Sequence, residues 1–428
     1  MIRVQQWVDR LLFLSVSTGL LVTQLLIGFR FITVHLNLVI IAVTVGVLQA
    51  FVSSVTFTGV ILLSGALFVA KLARDPAEVE VAHSEPVVAI VPVYGDANVL
   101  SRSVRSLVDS THPVRVMVVP ETDDGASLRE ARRLAGEFEQ VRCLPNTRYP
   151  GSKAGAISCA VEQTEGRYIG VFDADERVAP EFIEHALARL EDADVVQGRT
   201  VPRPNGVVEA LAYYESVLLS YVGRRLLYRL TGFRMAASRA VVFRRGAYEA
   251  VGGYDRDMLT EDYYFAYQCY TEGLTVRELL HAPSTIDAAH SMRDWWGQRK
   301  RWVRGYVQVF HRLTRDALRP TGYRDVLGLA ICGSSLVGGM MLISLLSKFI
   351  VLVSIGAGLV TMVPVGTVVL LAACVRYLDY RRGPLDGVGI SWALAPLLFP
   401  LYGVVFTRAV IEYLVGGAGD WYRVAKHA

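Results

Sequence analysis

Tyr168-Ile169-Gly170-Val171-Phe172-Asp173-Ala174-Asp175 decides the fold, because an apolar run ends there in two carboxylates. Residues 168 to 172 read as a strand that delivers the chain into Asp173. Upstream, Val87 to Val93 is a continuous apolar run meeting a loop at Tyr94-Gly95, the pattern of a parallel strand buried on both faces. A helix over Asn98–Asp109 follows, then a β-branched strand Val114–Val119, a helix Ser127–Phe138, a short strand Arg142–Leu144 and a helix Ala154–Gln163. Such alternation predicts a parallel sheet with helices on both faces, and ligands of such sheets sit at the carboxyl ends of the strands. Glu121 and Asp173 fall at two of those ends. No internal repeat or low-complexity tract interrupts the pattern, and Pro202–Asn205 reads as an ordinary loop.

Asp173 and Asp175 flank one alanine, so both carboxylates can reach one hard cation at the sheet edge, with water and phosphate oxygens completing its shell. The competing structural reading is an Asx turn ahead of a helix beginning near Pro180. Thr260-Glu261-Asp262 opens an aromatic stretch, Tyr263–Tyr270, with helical spacing. Acidic residues suit a helix N-terminus for electrostatic reasons alone, but Asp262 is also placed to act as a general base towards an attacking hydroxyl. Gln298-Arg299-Lys300-Arg301-Trp302 lies within Met292–Leu313, where tryptophans alternate with cations as in an amphipathic helix at a membrane surface. Arg301 there could hold a departing diphosphate, and Trp302 could stack on a sugar ring. Lys153, at a helix start, is either a phosphate contact or a plain surface lysine.

Outside this central region the chain is greasy. Of 428 residues, 52% are hydrophobic and 20% charged, and mean hydropathy is positive, which indicates an integral membrane protein carrying one full soluble domain. A net charge of +4 gives no argument for a nucleic-acid partner. The five cysteines show no C-x-x-C spacing, which argues against a zinc site or disulfide framework and for a reducing cytoplasm. Leu11–Phe29 has about the length a helix needs to cross roughly 30 Å of hydrocarbon, and without a small-residue cleavage site it is expected to stay in the mature chain. Leu36–Ala70 reads as one crossing plus an extension or re-entrant piece. Lys71 and Arg74 follow it, and Arg312, Arg315, Arg319 and Arg324 precede the next apolar segment, which places 71–325 in the cytoplasm. Beyond lie apolar stretches near 326–347, 349–378 and 390–415, broken by Pro364, Pro396 and Pro400, giving three or four crossings.

Val91-Pro92-Val93-Tyr94, Lys153-Ala154-Gly155-Ala156, Phe172-Asp173-Ala174-Asp175, Val251-Gly252-Gly253-Tyr254-Asp255, Thr260-Glu261-Asp262 and Gln298-Arg299-Lys300-Arg301-Trp302 form a highly specific set in this order. Together they resemble the membrane-embedded family 2 glycosyltransferases, the group containing hyaluronan, chitin and cellulose synthases, over roughly residues 85 to 312. The resemblance implies an α/β GT-A fold, a Rossmann-like mixed sheet, as a cytoplasmic domain inserted between N- and C-terminal transmembrane helices. Its layout would be membrane segments over 1–75, the catalytic domain over 76–290, interfacial helices over 291–325, further membrane segments over 326–415 and a cytoplasmic tail over 416–428. It further implies a nucleoside-diphosphate sugar donor, usually a UDP-sugar, with Mg2+ or Mn2+.

By the same resemblance, Asp175 would be the main metal ligand, Asp173 and Lys153 would meet the nucleotide sugar, and Pro92, Tyr94 and Glu121 would hold the nucleoside. Asp262 would be the base, and Glu261, Gln298, Arg301 and Trp302 would line the diphosphate and acceptor site. The family's frequent Asp-Asp-Gly is replaced here by Pro120-Glu121-Thr122-Asp123-Asp124-Gly125, so Glu121 and Asp123 compete for the base contact. Asp420–Lys426 looks like the Trp-containing cytoplasmic segment of some relatives. The expected activity is an inverting transfer to a growing polysaccharide at the cell membrane, with its translocation. The enzymatic alternative is addition of one sugar to a lipid-linked or glycolipid acceptor. A transporter with a nucleotide-sensing domain is the reading of another class, and the scarcity of ionisable residues in the apolar runs, Lys348 apart, speaks against it.

Overall fold

The computed structural model describes residues 2–29, 36–74, 85–317, 322–417 and 419. Arg30, Arg319 and the Asp420–Lys426 segment lie outside them. Two long helices, α1 (Ile2–Phe29) and α2 (Leu36–Ala73), precede the sheet. Then come β1 (Val87–Val93), α3 (Ala97–Val108), β2 (Val114–Pro120), α4 (Gly125–Glu137), β3 (Val141–Cys143), α5 (Lys153–Glu162), β4 (Tyr168–Val171) and α6 (Phe182–Arg189). β5 (Val195–Pro202) leads into α7 (Val207–Glu215), a π-helix over Ser216–Val222, α8 (Arg225–Thr231) and β6 (Val241–Arg244). The domain closes with α9 (Arg245–Ala250), α10 (Glu261–Thr271), β7 (Val276–Ile286) and α11 (Met292–Asp316). The last helices are α12 (Tyr323–Ser354), α13 (Gly358–Arg381) and α14 (Leu398–Gly416), the last entered through a 3₁₀ turn, Ser391–Leu397.

The sheet has seven strands in the order β3-β2-β1-β4-β6-β5-β7. β3, β2, β1 and β4 are parallel, as the alternation of apolar runs and helices predicts. The remaining strands make the sheet mixed, as the family resemblance implies: β6 runs antiparallel to both β4 and β5, while β5 and β7 are parallel. The physical reason is that β5 and β6 are joined through helices that leave the sheet towards the membrane segments, so no short crossover forces β6 into the parallel direction. One sheet face packs on α3, α4 and α6 through Leu100, Val104, Leu107, Leu134, Phe182 and Leu187. The opposite face packs on α5 and α10, and its core continues into Phe68 and Leu72 of α2. Each fully buried side chain of this kind contributes about 1.5–3 kcal/mol, so the strand cores are overdetermined.

Local chemistry fixes the helix starts that matter. Ser152 Oγ accepts from Gly155 N at 3.0 Å and caps α5, and Ser291 Oγ accepts from Asp294 N at 3.1 Å and caps α11. Gly155 cannot be anything larger, because a Cβ there would lie 2.1 Å from the Tyr149 carbonyl oxygen.

Four helices among the described residues are long and apolar enough to cross a membrane: Thr44–Ala73, Tyr323–Ser354, Gly358–Arg381 and Ser391–Gly416. α2 is one unbroken helix of 38 residues, about 57 Å at 1.5 Å per residue, so its excess length is an extension and not a re-entrant piece. Among the described residues the three apolar C-terminal stretches form three helical paths. α13 runs through Pro364, Pro396 falls in the 3₁₀ turn, and Pro400 sits in the first turn of α14, where a missing N–H costs little. The sheet is bolted to this bundle by Arg199 of β5, whose guanidinium meets Asp379 of α13 through two bonds of 2.6 and 2.7 Å. Tyr213 Oη donates to the same carboxylate at 2.6 Å.

Candidate active site

A cavity of about 750 Å³ opens over the carboxyl ends of β1, β2 and β4. Its wall includes Pro92, Tyr94, Glu121, Lys153, Asp173, Glu261, Asp262, Gln298, Arg301 and Trp302, so residues spread over more than two hundred positions converge on one space. Asp175 is the exception: it is buried, 6% exposed, and does not line the cavity.

Pro92 and Tyr94 project from the end of β1, the tyrosine half exposed. Glu121 is buried and occupied, accepting from Asn146 Nδ2 at 2.7 Å and from Gly151 N at 3.0 Å. It therefore braces the loops that follow β2 and β3, whereas Asp123, two residues on, is exposed on the cavity wall. At the end of β4, Asp173 is ion-paired with Lys153. Its backbone N–H donates to Glu176 Oε2 at 3.0 Å, and Ala240 N donates to the same oxygen at 3.2 Å. Glu176 thus ties the β4 loop to the start of β6 from below. Burial, reinforced by the Asp173 charge, pushes its carboxyl up to about 7.

Glu261 and Asp262 occupy the first turn of α10. Glu261 is buried and accepts from Ser238 Oγ at 2.9 Å, and burial, with the Asp262 charge beside it, raises it to about 6. Asp262 keeps its carboxylate on the cavity wall, with one oxygen accepting from Tyr263 N at 2.8 Å.

The periodicity of α11 splits its motif between two faces. Gln298, Arg301 and Trp302, spaced i, i+3, i+4, line the cavity, while Trp295, Arg299 and Val303 point into the protein. Arg299 Nε donates to Glu215 Oε2 at 2.7 Å and Trp295 Nε1 to the same oxygen at 3.1 Å. The Arg299 guanidinium lies 4.8 Å from the Trp302 ring centre and donates to Gln298 Oε1 at 2.5 Å, so it sets both cavity-facing neighbours. Of the three tryptophans Trp295 is fully buried, Trp296 is half-buried against the core and Trp302 lies on the cavity wall, with α12 and α14 packed against the helix. On the other side Gly305 meets Thr260, where a Cβ would approach the side chain to 2.5 Å.

Sequence reasoning missed Arg239, Ser238, Gln197 and Arg224, all on the cavity wall. Arg239 sits near both carboxylates: burial opposes its charge, but Asp173 and Asp262 outweigh it and hold the guanidinium above its ordinary value. Arg301 is pulled down by burial against the pull of Glu261, Asp262 and Asp173. Ala240, beside Arg239, has φ of 42°, a left-handed conformation that costs a non-glycine residue about 1–3 kcal/mol and clusters at functional sites. Isolated arginines give no periodic signal; only a left-handed alanine marks the place, and a sequence cannot show that.

Among the described residues no three His, Cys, Asp or Glu side chains form a ready metal cage. A second cavity of about 570 Å³ adjoins the first, lined by residues of α2, α12 and α14 such as Phe57, Ile61, Leu336, Leu342, Phe399 and Phe406. Ser220, Arg224, Trp302 and Tyr306 line both, forming a waist between them. The π-helix over Ser216–Val222 carries Ser220 into it, the kind of irregularity often found at functional sites.

A family sequence model described as "Glycosyl transferase family group 2" matches residues 168–406, more than half of the chain. The beta-monoglucosyldiacylglycerol synthase of Trichormus variabilis (strain ATCC 29413 / PCC 7937) is 23% identical over 241 residues, 54% of this chain and 51% of that protein. The cellulose synthase catalytic subunit [UDP-forming] of Komagataeibacter sucrofermentans is 24% identical over 170 residues, 37% of this chain and 22% of that protein. The chain spans about half the length of the first of these relatives. Among solved structures, the mannosyltransferase PcManGT from Pyrobaculum calidifontis, in complex with GDP-Man and Mn2+, superposes with a TM-score of 0.55 at 17% identity, over 85% of this chain and 99% of that one.

Proposed function

This chain belongs to glycosyl transferase family group 2 and is a glycosyltransferase with the GT-A fold, and we propose that it moves one sugar, with inversion, from a nucleoside-diphosphate donor to a hydroxyl of a lipid. The observation that carries the acceptor assignment is the apolar chamber opening onto the catalytic cavity at Trp302 and Arg224. Between α2, α12 and α14 its wall is mainly valine, leucine, isoleucine, methionine and phenylalanine, which suits acyl chains, and its polar side chains include Ser53, Thr56, Ser335, Ser344, Lys348 and, towards the waist, Glu215 and Tyr263.

In this reading the nucleoside lies against Pro92 and Tyr94, with Asp123 reaching it in place of the occupied Glu121. UDP is the first donor class to test. Lys153, Arg239 and Arg301 face the diphosphate. A Mg2+ or Mn2+ ion would be held by Asp173 ahead of the buried Asp175. Cations of this type take one or two carboxylates and complete their shell with phosphate oxygens and water, so a strand-end carboxylate on the cavity wall fits without a full protein cage. Such an ion would neutralise charge on the leaving diphosphate. The acceptor oxygen bonds to the anomeric carbon from the side opposite the diphosphate, its proton passes to Asp262, and the carbon–oxygen bond to the diphosphate breaks with the electron pair leaving on that oxygen. Arg239 and Arg301 favour the charge that collects there.

The protein would be multi-pass in the cell membrane with its sheet in the cytoplasm, supported by Lys71, Arg74, Arg312, Arg315 and Arg324 at the junctions. A second reading, extension and translocation of a polysaccharide, draws on the Gln298–Trp302 motif and the cellulose synthase relative. Purified full-length protein given radiolabelled UDP-sugars, a divalent cation and a lipid extract distinguishes the two. A lipid carrying one sugar is the expected product, and a ladder of water-soluble chains would overturn the assignment.

A further inference from the structure

The waist between the cavities carries more positive charge than its carboxylates balance. Arg224 lines both cavities among Tyr228, Tyr263 and Tyr306, and no carboxylate among the described residues is ion-paired with it. The two acids nearby are already engaged. Glu215 holds Arg299 and Trp295, and Glu278 is shared by Lys71 at 3.4 Å, Arg234 at 3.8 Å and Arg225. Arg225 is 4% exposed, and its Nε and Nη2 have no acceptor. A guanidinium in this setting, polar cavity on one side and hydrocarbon on the other, matches the one place where an amphipathic lipid carries its charge.

Resting on the lipid-acceptor reading above, we propose that the acceptor is an anionic lipid whose headgroup contains a phosphodiester followed by a free hydroxyl. The phosphodiester lies on Arg224 at the waist, the acyl chains fill the chamber between α2, α12 and α14, and the hydroxyl extends past Trp302 to Asp262. A neutral diacylglycerol would leave Arg224 among the tyrosines of the waist with no counter-charge, which disfavours it. Transfer follows the balance already given, with the lipid hydroxyl losing its proton to Asp262 and the nucleoside diphosphate departing.

The test uses full-length protein in a non-ionic maltoside detergent, titrated with phosphatidylglycerol or diacylglycerol brominated in the acyl chains. The readout is the Trp302 share of fluorescence quenching, taken as the difference from W302F, and needs no knowledge of the donor. Phosphatidylglycerol is expected to reach half-quenching at about a tenfold lower mole fraction than diacylglycerol. R224Q should abolish that preference, and R224K should retain most of it. Equal behaviour of the two lipids in the unaltered protein, or an unchanged preference in R224Q, overturns the phosphodiester assignment while leaving the lipid chamber standing. Failure of both lipids to quench Trp302 overturns the lipid reading itself. If R224Q does not fold, the comparison of the two lipids on the unaltered protein decides alone.

Discussion

Glu261 and Asp262 are neighbours on α10 and both reach the cavity wall, yet Glu261 is buried and bonded to Ser238 whereas Asp262 is more exposed. Asp262→Asn retains the shape and the bond from Tyr263 N but cannot accept a proton. Turnover should fall about 10²–10⁴-fold, with nucleotide affinity changed little, as initial rates and titration calorimetry would show. Glu261 behaves differently. Its folded pKa of about 6 lies above the ordinary carboxylate value, so the folded protein holds this proton more tightly than the unfolded chain does. The associated stability is fully present below the unfolded pKa and is lost as pH rises through about 6. Glu261→Gln, which still accepts from Ser238, should remove up to about 2 kcal/mol of that dependence. The difference in melting temperature between variant and parent should therefore shift in favour of the variant from about pH 4 to about pH 8, and identical pH profiles would contradict it. At this scale the sequence pointed to Asp173, Asp262 and Arg301, and all three line the cavity: the two acids stand out at a strand end and a helix start, Arg301 by its place in the motif inside α11. It could not rank Glu121 against Asp123, since which one spends its oxygens on Asn146 and Gly151 is a matter of loop packing.

At the scale of elements, α11 is the part on which the site turns. Its cavity face and its buried face are interleaved in one motif, and Gly305 lets it press against Thr260 at the head of α10. Gly305→Ala should cost about 1–3 kcal/mol by overpacking. It should also slow transfer by about a hundredfold, since displacing Arg301 and Trp302 by roughly 1 Å from Asp262 suffices for that. Pairing it with Thr260→Ala should recover part of both losses, and a double variant no better than the single one would refute the contact. The helix itself was readable from aromatic and basic spacing. Its setting was not: an amphipathic pattern with tryptophans is the same whether lipid or other helices cover it, and here α12 and α14 do.

Across the whole molecule, catalytic sheet and membrane bundle are coupled through the Arg199–Asp379 pair, both nearly unexposed. Asp379→Ala would leave a buried guanidinium without its counter-charge, at a cost of about 3–5 kcal/mol. β5 also carries Gln197 and Thr200 into the cavity, so transfer should weaken along with thermal stability, and an unchanged melting point in detergent would remove the pair from this role. The sequence by itself determined the parallel half of the sheet, the greasy flanks and the order of the motifs, because burial on both faces and helical phase are local patterns of apolar residues. Only the tertiary structure decided which strand is reversed, β6 between β4 and β5, the burial of Asp175, the arrival of Arg239 and Arg224, and the chamber behind Trp302. Those depend on chain segments far apart in sequence packing against one another, and charge balance at a point is a sum over all of them.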